Sequence, residues 1–73
     1  MIARYTVRMT YGDFLKQVSI VKKGTDWRYG QAYYNTLARH RPDLADKIRK
    51  TPLDPFYRDS VDPETDVFVQ ENW

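Results

Sequence analysis

The residues that could do acid–base or nucleophilic chemistry are few in this chain of 73 residues. His40 is the only histidine, and there is no cysteine. A catalytic triad or a metal site would need a second group to hold this imidazole, yet its neighbours are Arg39 and Arg41. We therefore expect His40 to lie at the surface, and we predict that the protein is not an enzyme.

Two groups of acidic residues could bind a cation. Asp43 and Asp46 fall within one turn of a predicted helix, where exposed neighbouring carboxylates are usually only solvated. Asp54, Asp59 and Asp62 cluster in the sequence, but the first and the last of them precede prolines. Helix capping explains such Asp-Pro pairs more simply than cation binding does. The sequence therefore predicts no metal site and no cofactor.

Basic residues mixed with aromatic residues are better candidates for a function. Residues 4–11 read RYTVRMTY, a composition that suits phosphate neutralisation together with base stacking. The simpler explanation is a strand with one solvent-facing side. A second basic cluster on two adjoining predicted helices consists of Arg39, Arg41, Lys47, Arg49 and Lys50. The turn at Pro42 between these helices is too short for a DNA-reading helix-turn-helix.

Binding to another protein is a further possibility. A strand at a chain terminus presents unpaired backbone groups that pair readily with another chain, and Tyr, Trp and Arg dominate binding hot spots. We assign Trp27, Tyr34, Phe56 and Phe68 to the core of the domain. The predicted partner-binding residues are Ile2, Arg4, Tyr5, Val7 and Arg8, with Arg28, Arg39 and Arg41 as supporting charge.

Length and composition limit what can position these side chains. A chain of this length predicts one small, monomeric domain of thin stability margin, and its eleven aromatic residues must supply much of the core. The absence of cysteine is typical of a reducing, cytosolic setting, and the sequence predicts neither a signal peptide nor a membrane span.

Residues 1–50 hold eleven of the twelve basic residues, whereas residues 51–73 hold six of the ten acidic ones. Either the acidic part folds back on the basic part, or each part faces a different partner.

The first half of the chain predicts an extended segment followed by helices. Residues 2–9 alternate apolar and polar residues with period two, which predicts a strand or an extended arm. Thr10 and Asp13 then form a capping pattern for a helix that Gly24 ends. The apolar residues follow helical spacing, although residues 14–21 could instead form a second strand. These apolar residues are Tyr11, Phe14, Leu15, Val18 and Val21.

A second helix should begin at a cap on Thr25 or Asp26 and run to about His40. Gly30 falls inside it, and because an interior glycine is unfavourable in a helix, we expect close packing there against another backbone. Pro42 ends this helix and can start a short third one. That third helix should turn Leu44, Ala45 and Ile48 inward.

The last third of the chain contains two further Asp-Pro starts. Residues 54–57 should form a single turn that places Phe56 and Tyr57 in the core. Pro63 opens the final segment, for which we choose a helix because of the acidic first turn, although the β-branched residues in 66–70 leave a strand possible. The sequence thus predicts a mainly α domain of about three helices, with a small α+β domain as the alternative. Residues 1–9 form the arm and residues 10–73 the helical body.

The pattern of residues 26–73 resembles that of a family of short phage proteins. The segments that carry the resemblance are RYGQAYYNTL (28–37), RPDL (41–44), IRKT (48–51), DPFYRD (54–59) and the final ENW (71–73). Lys50 departs from the pattern, in which a glycine usually follows the isoleucine-arginine pair. Most members of this family have no assigned activity. The chain resembles one member, from a lytic Xanthomonas phage, that binds the host RNA polymerase.

This resemblance implies a function rather than a set of contacts. It implies a regulator that blocks transcription initiation at host promoters and promotes antitermination, in the cytoplasm of the infected bacterium. The implied partner surface is the N-terminal region of the largest polymerase subunit and the neighbouring β flap, near the RNA exit channel, where contact with nascent RNA is possible. Two alternatives stay open. One is a single-stranded nucleic-acid-binding protein, and the other is a phage counter-defence protein with another protein partner.

Overall fold

The computed structural model describes residues 9–73 of the chain. Four helices follow one another in this part: α1 (Tyr11–Lys23), α2 (Tyr29–His40), α3 (Pro42–Ile48) and α4 (Pro63–Asn72). No strand occurs among these residues, so the predicted mainly α fold is confirmed, with one helix more than expected. Residues 1–8, which hold nearly all of the predicted arm, lie outside the described residues.

Helix α1 begins and ends where its capping residues predict. The amide of Asp13 donates to Oγ1 of Thr10 at 3.0 Å, and the amide of Thr10 donates back to Asp13 Oδ2 at 3.2 Å. These reciprocal bonds satisfy two amides that a helix start leaves unpaired. At the other end the amide of Gly24 donates to the carbonyl oxygen of Ile20 at 3.2 Å. The alternative of a strand at residues 14–21 is therefore wrong.

Helix α2 begins later than the sequence predicts. Neither Thr25 nor Asp26 caps it; Arg28 takes the cap position without a side-chain hydrogen bond. The hydroxyl of Thr25 donates instead to the carbonyl oxygen of Val21 at 2.9 Å and accepts the amide of Trp27 at 3.3 Å. The prediction is wrong because Thr25 completes the end of α1, so it is not available to start α2.

Gly30 explains how α2 is fixed to the rest of the molecule. Its amide donates to the carbonyl oxygen of Arg58 at 3.0 Å. A Cβ atom at this position would come within 2.5 Å of the same oxygen and closer still to that of Pro55. The close backbone packing expected for this glycine is thus confirmed, and its partner is the irregular segment between α3 and α4.

Helices α3 and α4 both start at a proline, as predicted. Leu44, Ala45 and Ile48 of α3 are buried, and α4 buries Thr65 and Val69. The final segment is a helix and not a strand. Arg41 forms the junction between α2 and α3, because a single non-helical residue separates these two helices.

The core joins α1, α2 and α3 through aliphatic and aromatic side chains. The ring of Phe14 lies 5.0 Å from that of Tyr33 and 5.0 Å from that of Trp73. Such edge and tilted arrangements are the favourable ones for aromatic pairs. The fully buried hydrophobic residues are Phe14, Val18, Ala32, Tyr33, Leu37, Leu44, Ala45, Ile48 and Val69.

Two aromatic residues assigned to the core by sequence are not there. Trp27 is 37% exposed and Tyr57 is 81% exposed. Trp27 precedes the first residue of α2, so the helix does not carry it inward. The rings of Tyr57 and Phe56 meet edge to face, with their centroids 4.9 Å apart. Pro55 takes the buried position in that turn. Tyr34, Phe56 and Phe68 are half-buried at the rim of the core.

None of the helices in residues 9–73 has the length and apolar content needed to cross a membrane.

Candidate partner-binding surface

A groove of about 430 Å³ runs between α1 and α2. Trp27, which follows the end of α1, lines it. Arg39 and His40, both in the last turn of α2 and both exposed, line it as well. The amide side chains of Gln17 and Asn35 also line it. An exposed indole, a guanidinium and two amides thus share one concave surface.

Thr36 also lines this groove, and its hydroxyl is buried and unpaired among the described residues. Thr36 is 4% exposed, and its Oγ1 makes no hydrogen bond in the described part of the chain. A buried polar atom of this kind costs free energy unless something satisfies it. Sequence reasoning missed both Thr36 and the exposure of Trp27, because neither residue stands in a pattern that indicates a site.

The charge around the groove is positive and largely uncompensated. Arg39 forms no ion pair with any of residues 9–73, and the same is true of Lys22 and Lys23 in the last turn of α1. Other members of the predicted second basic cluster are Lys47 in α3 and Arg49 and Lys50 just after its end, which are exposed and also lack ion pairs with described residues. An acidic partner could approach this side without displacing an existing counter-charge.

Arg41, also predicted as partner-binding charge, is held within the protein. Its guanidinium donates to both carboxylate oxygens of Asp43, at 3.1 and 3.0 Å, and to the backbone oxygens of Asn72 and Trp73. It also lies over the indole of Trp73, 5.3 Å from the ring centroid. The hydrogen bonds that Asp43 accepts from Arg41 lower the pKa of Asp43 below its usual value. Arg41 therefore ties the α2–α3 junction to the end of α4.

Arg28 is the third predicted charge in the described part of the chain. It is exposed, with its Nε 4.0 Å from Oδ1 of Asp59. This is the only ion pair between described residues that joins the basic part of the sequence to the acidic part. Direct ion pairs between the two parts are therefore few among residues 9–73. Ile2, Arg4, Tyr5, Val7 and Arg8 lie outside the described residues, and their role stays a prediction.

A second polar cluster, formed by Tyr11, Tyr33 and Asp66, has a structural role. Tyr11 donates its hydroxyl to Oδ1 of Asp66 and lies 2.9 Å from the hydroxyl oxygen of Tyr33. Burial and the bond to Asp66 raise the pKa of Tyr11 well above its usual value, and burial raises the pKa of Tyr33. Both phenols therefore stay protonated at neutral pH. Within residues 9–73 no group of three metal-ligating side chains comes together.

The segments that carry the resemblance to phage proteins contact one another. Gly30 packs on Pro55 and Arg58, and the ring of Tyr34 meets the ring of Phe56 edge-on at 5.8 Å. The hydroxyl of Tyr34 reaches the carbonyl oxygen of Ala45 at 3.5 Å. Residues distant in sequence thus form one scaffold, and the exposed groove and basic residues lie around it.

No protein-family model, no curated protein and no solved structure matches this chain.

Proposed function

We propose that this protein is a phage-encoded regulator that binds the bacterial host RNA polymerase. It inhibits initiation at host promoters and promotes antitermination, and it acts in the cytoplasm of the infected cell. The proposal starts from the resemblance of residues 26–73 to short phage proteins. Its support in the described residues is that the resembling segments pack into one scaffold, centred on Gly30 against Pro55 and Arg58.

A scaffold of this kind fits a protein that acts by occupying a surface. A small binder can inhibit a multisubunit enzyme if it has higher affinity for one conformational state than for another. Binding beside the RNA exit path, where nascent RNA leaves the polymerase, would let one protein affect both initiation and termination. The uncompensated cations Lys22, Lys23 and Arg39 suit an acidic environment of that kind.

The predicted arm supplies the first test. Replacing Tyr5 and Val7 with Glu places two charges on the face proposed to contact the polymerase, and we expect the double variant to lose binding to purified bacterial core RNA polymerase. The measurement is co-elution of the tagged protein with the core enzyme after nuclease treatment. Multi-round transcription should show, in parallel, restored initiation and lost read-through of a terminator.

The matched control places two glutamates on exposed apolar residues of the helical body. Tyr57→Glu with Val67→Glu changes the same number of charges on residues that are 81% and 50% exposed. This control variant should stay folded and keep its affinity for the core enzyme. Equal binding by the arm variant and the unaltered chain would remove the arm as the interface. Absence of polymerase binding by the unaltered chain would reject the proposed function and favour a counter-defence partner.

A further inference from the structure

The groove between α1 and α2 combines three features that one ligand would satisfy together. Trp27 exposes an aromatic face although it is one of the largest apolar side chains in the protein. Arg39 supplies a cation without an ion-pair partner in the described part of the chain. Gln17 and Asn35 supply amide groups, each able both to donate and to accept hydrogen bonds.

The exposed indole of Trp27 together with the guanidinium of Arg39, which forms no ion pair within residues 9–73, is the observation that points to a ligand rather than to ordinary surface. Thr36 also lines the groove, but its Oγ1 is buried from solvent and has no hydrogen-bond partner among the described residues. A ligand in the groove therefore meets the rest of this side chain and not its hydroxyl.

The chemistry of the lining identifies the ligand class. Aromatic faces bind single-stranded nucleic acids by stacking on the bases, and positive charge beside them binds the phosphates. Amide side chains recognise the exposed edge of an unpaired base. A folded protein partner would need a broad complementary surface, whereas a groove of about 430 Å³ fits one flat base with its sugar.

We propose that this groove binds a nucleotide of single-stranded RNA. The base stacks on Trp27, the amides of Gln17 and Asn35 contact its edge, and Arg39 pairs with the phosphate. Lys22 and Lys23 extend the positive field along the strand. The identification of this strand as the nascent transcript rests on the proposed function. The affinity of the groove for single-stranded RNA is independent of that function.

The test is fluorescence anisotropy of a labelled oligouridylate of roughly ten nucleotides, a length within the range that single-strand platforms bind. The full chain is titrated at low and at higher salt. Trp27→Ala should weaken binding about tenfold, and Trp27→Phe should weaken it less because an aromatic face remains. Arg39→Gln should lower the slope of log affinity against log salt by about one.

Two further variants separate a binding site from general charge and from packing. Lys47→Gln makes the same charge change on an exposed residue of α3 outside the groove, and it should leave the affinity much closer to that of the unaltered chain than Arg39→Gln does. Gln17→Ala removes an amide of the groove lining. This variant should bind RNA more weakly while its midpoint of unfolding is unchanged, a combination that a purely structural residue would not give.

The proposal is overturned if the unaltered chain does not bind the oligonucleotide at low salt, or if Trp27→Ala loses no more affinity than Lys47→Gln. It is also overturned if the groove variants lose polymerase binding with unchanged RNA affinity, because the groove would then be a protein interface. RNA binding through the groove without polymerase binding rejects the proposed function and leaves this site in place.

Discussion

Lys50 occupies a backbone conformation that is unfavourable for every residue with a side chain. Its φ is 60°, and it is the one non-glycine residue with positive φ in the described part of the chain. The turn is kept because the amide of Lys50 donates to Asp54 Oδ2 at 2.8 Å, and Asp54 also accepts the amide of Phe56 at 3.0 Å.

The substitution Lys50→Gly should therefore stabilise the protein. Relief of the left-handed strain contributes about 1 kcal/mol, and the greater freedom of glycine in the unfolded chain offsets part of it. The measurement is the free energy of unfolding from chemical denaturation at an unchanged m-value. Lys47→Gly, in the last turn of α3, is the control and should lose up to about 1 kcal/mol. Equal losses in both variants would show that Lys50 carries no strain.

Asp13 makes the stability of α1 depend on pH. The amide and hydroxyl of Thr10 hold the pKa of this carboxyl below its usual value of 3.8. A carboxyl with a lowered pKa in the folded state stabilises the fold above its unfolded pKa, and this contribution is lost as pH falls through the folded value. The midpoint temperature of thermal unfolding should decrease as the pH is lowered below about 4. Asp13→Asn should be less stable at neutral pH and should show a shallower fall in acid.

At the scale of the element, Gly30 shows how a helix is attached to an irregular segment. Gly30→Ala would drive a Cβ atom against the carbonyl oxygens of Pro55 and Arg58, which are backbone atoms and cannot rotate away. We expect a loss of about 3 kcal/mol, at the upper end for overpacking. Gly12→Ala is the matched control, since its Cβ would meet only Oγ1 of Thr10, at 3.7 Å, and should gain about 0.5 kcal/mol. If Gly30→Ala lost no more stability than an ordinary surface substitution, the close approach of α2 to the backbone of Pro55 and Arg58 would be contradicted.

The elements themselves are predictable where a local signal decides them. Thr10 with Asp13, Gly24, and the prolines at 42 and 63 each set a helix boundary through their own backbone chemistry. The start of α2 is not predictable in this way, because Thr25 can serve either the end of α1 or the start of α2. Which of the two it serves depends on the path of the chain through Trp27, and hence on tertiary packing.

At the scale of the whole molecule, Trp73 connects parts of the chain that are far apart in sequence. Its Nε1 donates to the carbonyl oxygen of Met9 at 2.7 Å, its ring packs on Tyr11 and Phe14, and Arg41 lies over it. Trp73→Ala should cost about 3 kcal/mol, the lower end for truncation of a large aromatic in a core. Trp27→Ala should cost less than Trp73→Ala, because Trp27 leaves 37% of its surface exposed. Thermal denaturation of the two variants measures the difference, and similar losses would place Trp27 in the core after all.

The candidate site is less predictable than the scaffold for the same physical reason. Arg41 and Arg39 are two residues apart in similar sequence surroundings, yet one guanidinium is bound by Asp43 and α4 while the other is free of ion pairs among residues 9–73. Trp27 and Trp73 differ likewise in exposure. Composition indicates that cations and aromatics are available, but only the tertiary arrangement determines which of them face a partner.

The attachment of Gly30 to the segment between α3 and α4 also determines how that segment opens. The amide of Gly30 is bonded to Arg58, and the amide of Arg58 is bonded to Pro55 at 2.9 Å. The Gly30 proton reaches solvent only when α2 separates from the irregular segment, whereas the bond from Arg58 to Pro55 lies within one turn and can open locally. The Gly30 amide should therefore exchange with deuterium as slowly as the buried amides of α2, and the Arg58 amide should exchange faster. In exchange behaviour this contact extends the protected part of α2 into its first turn.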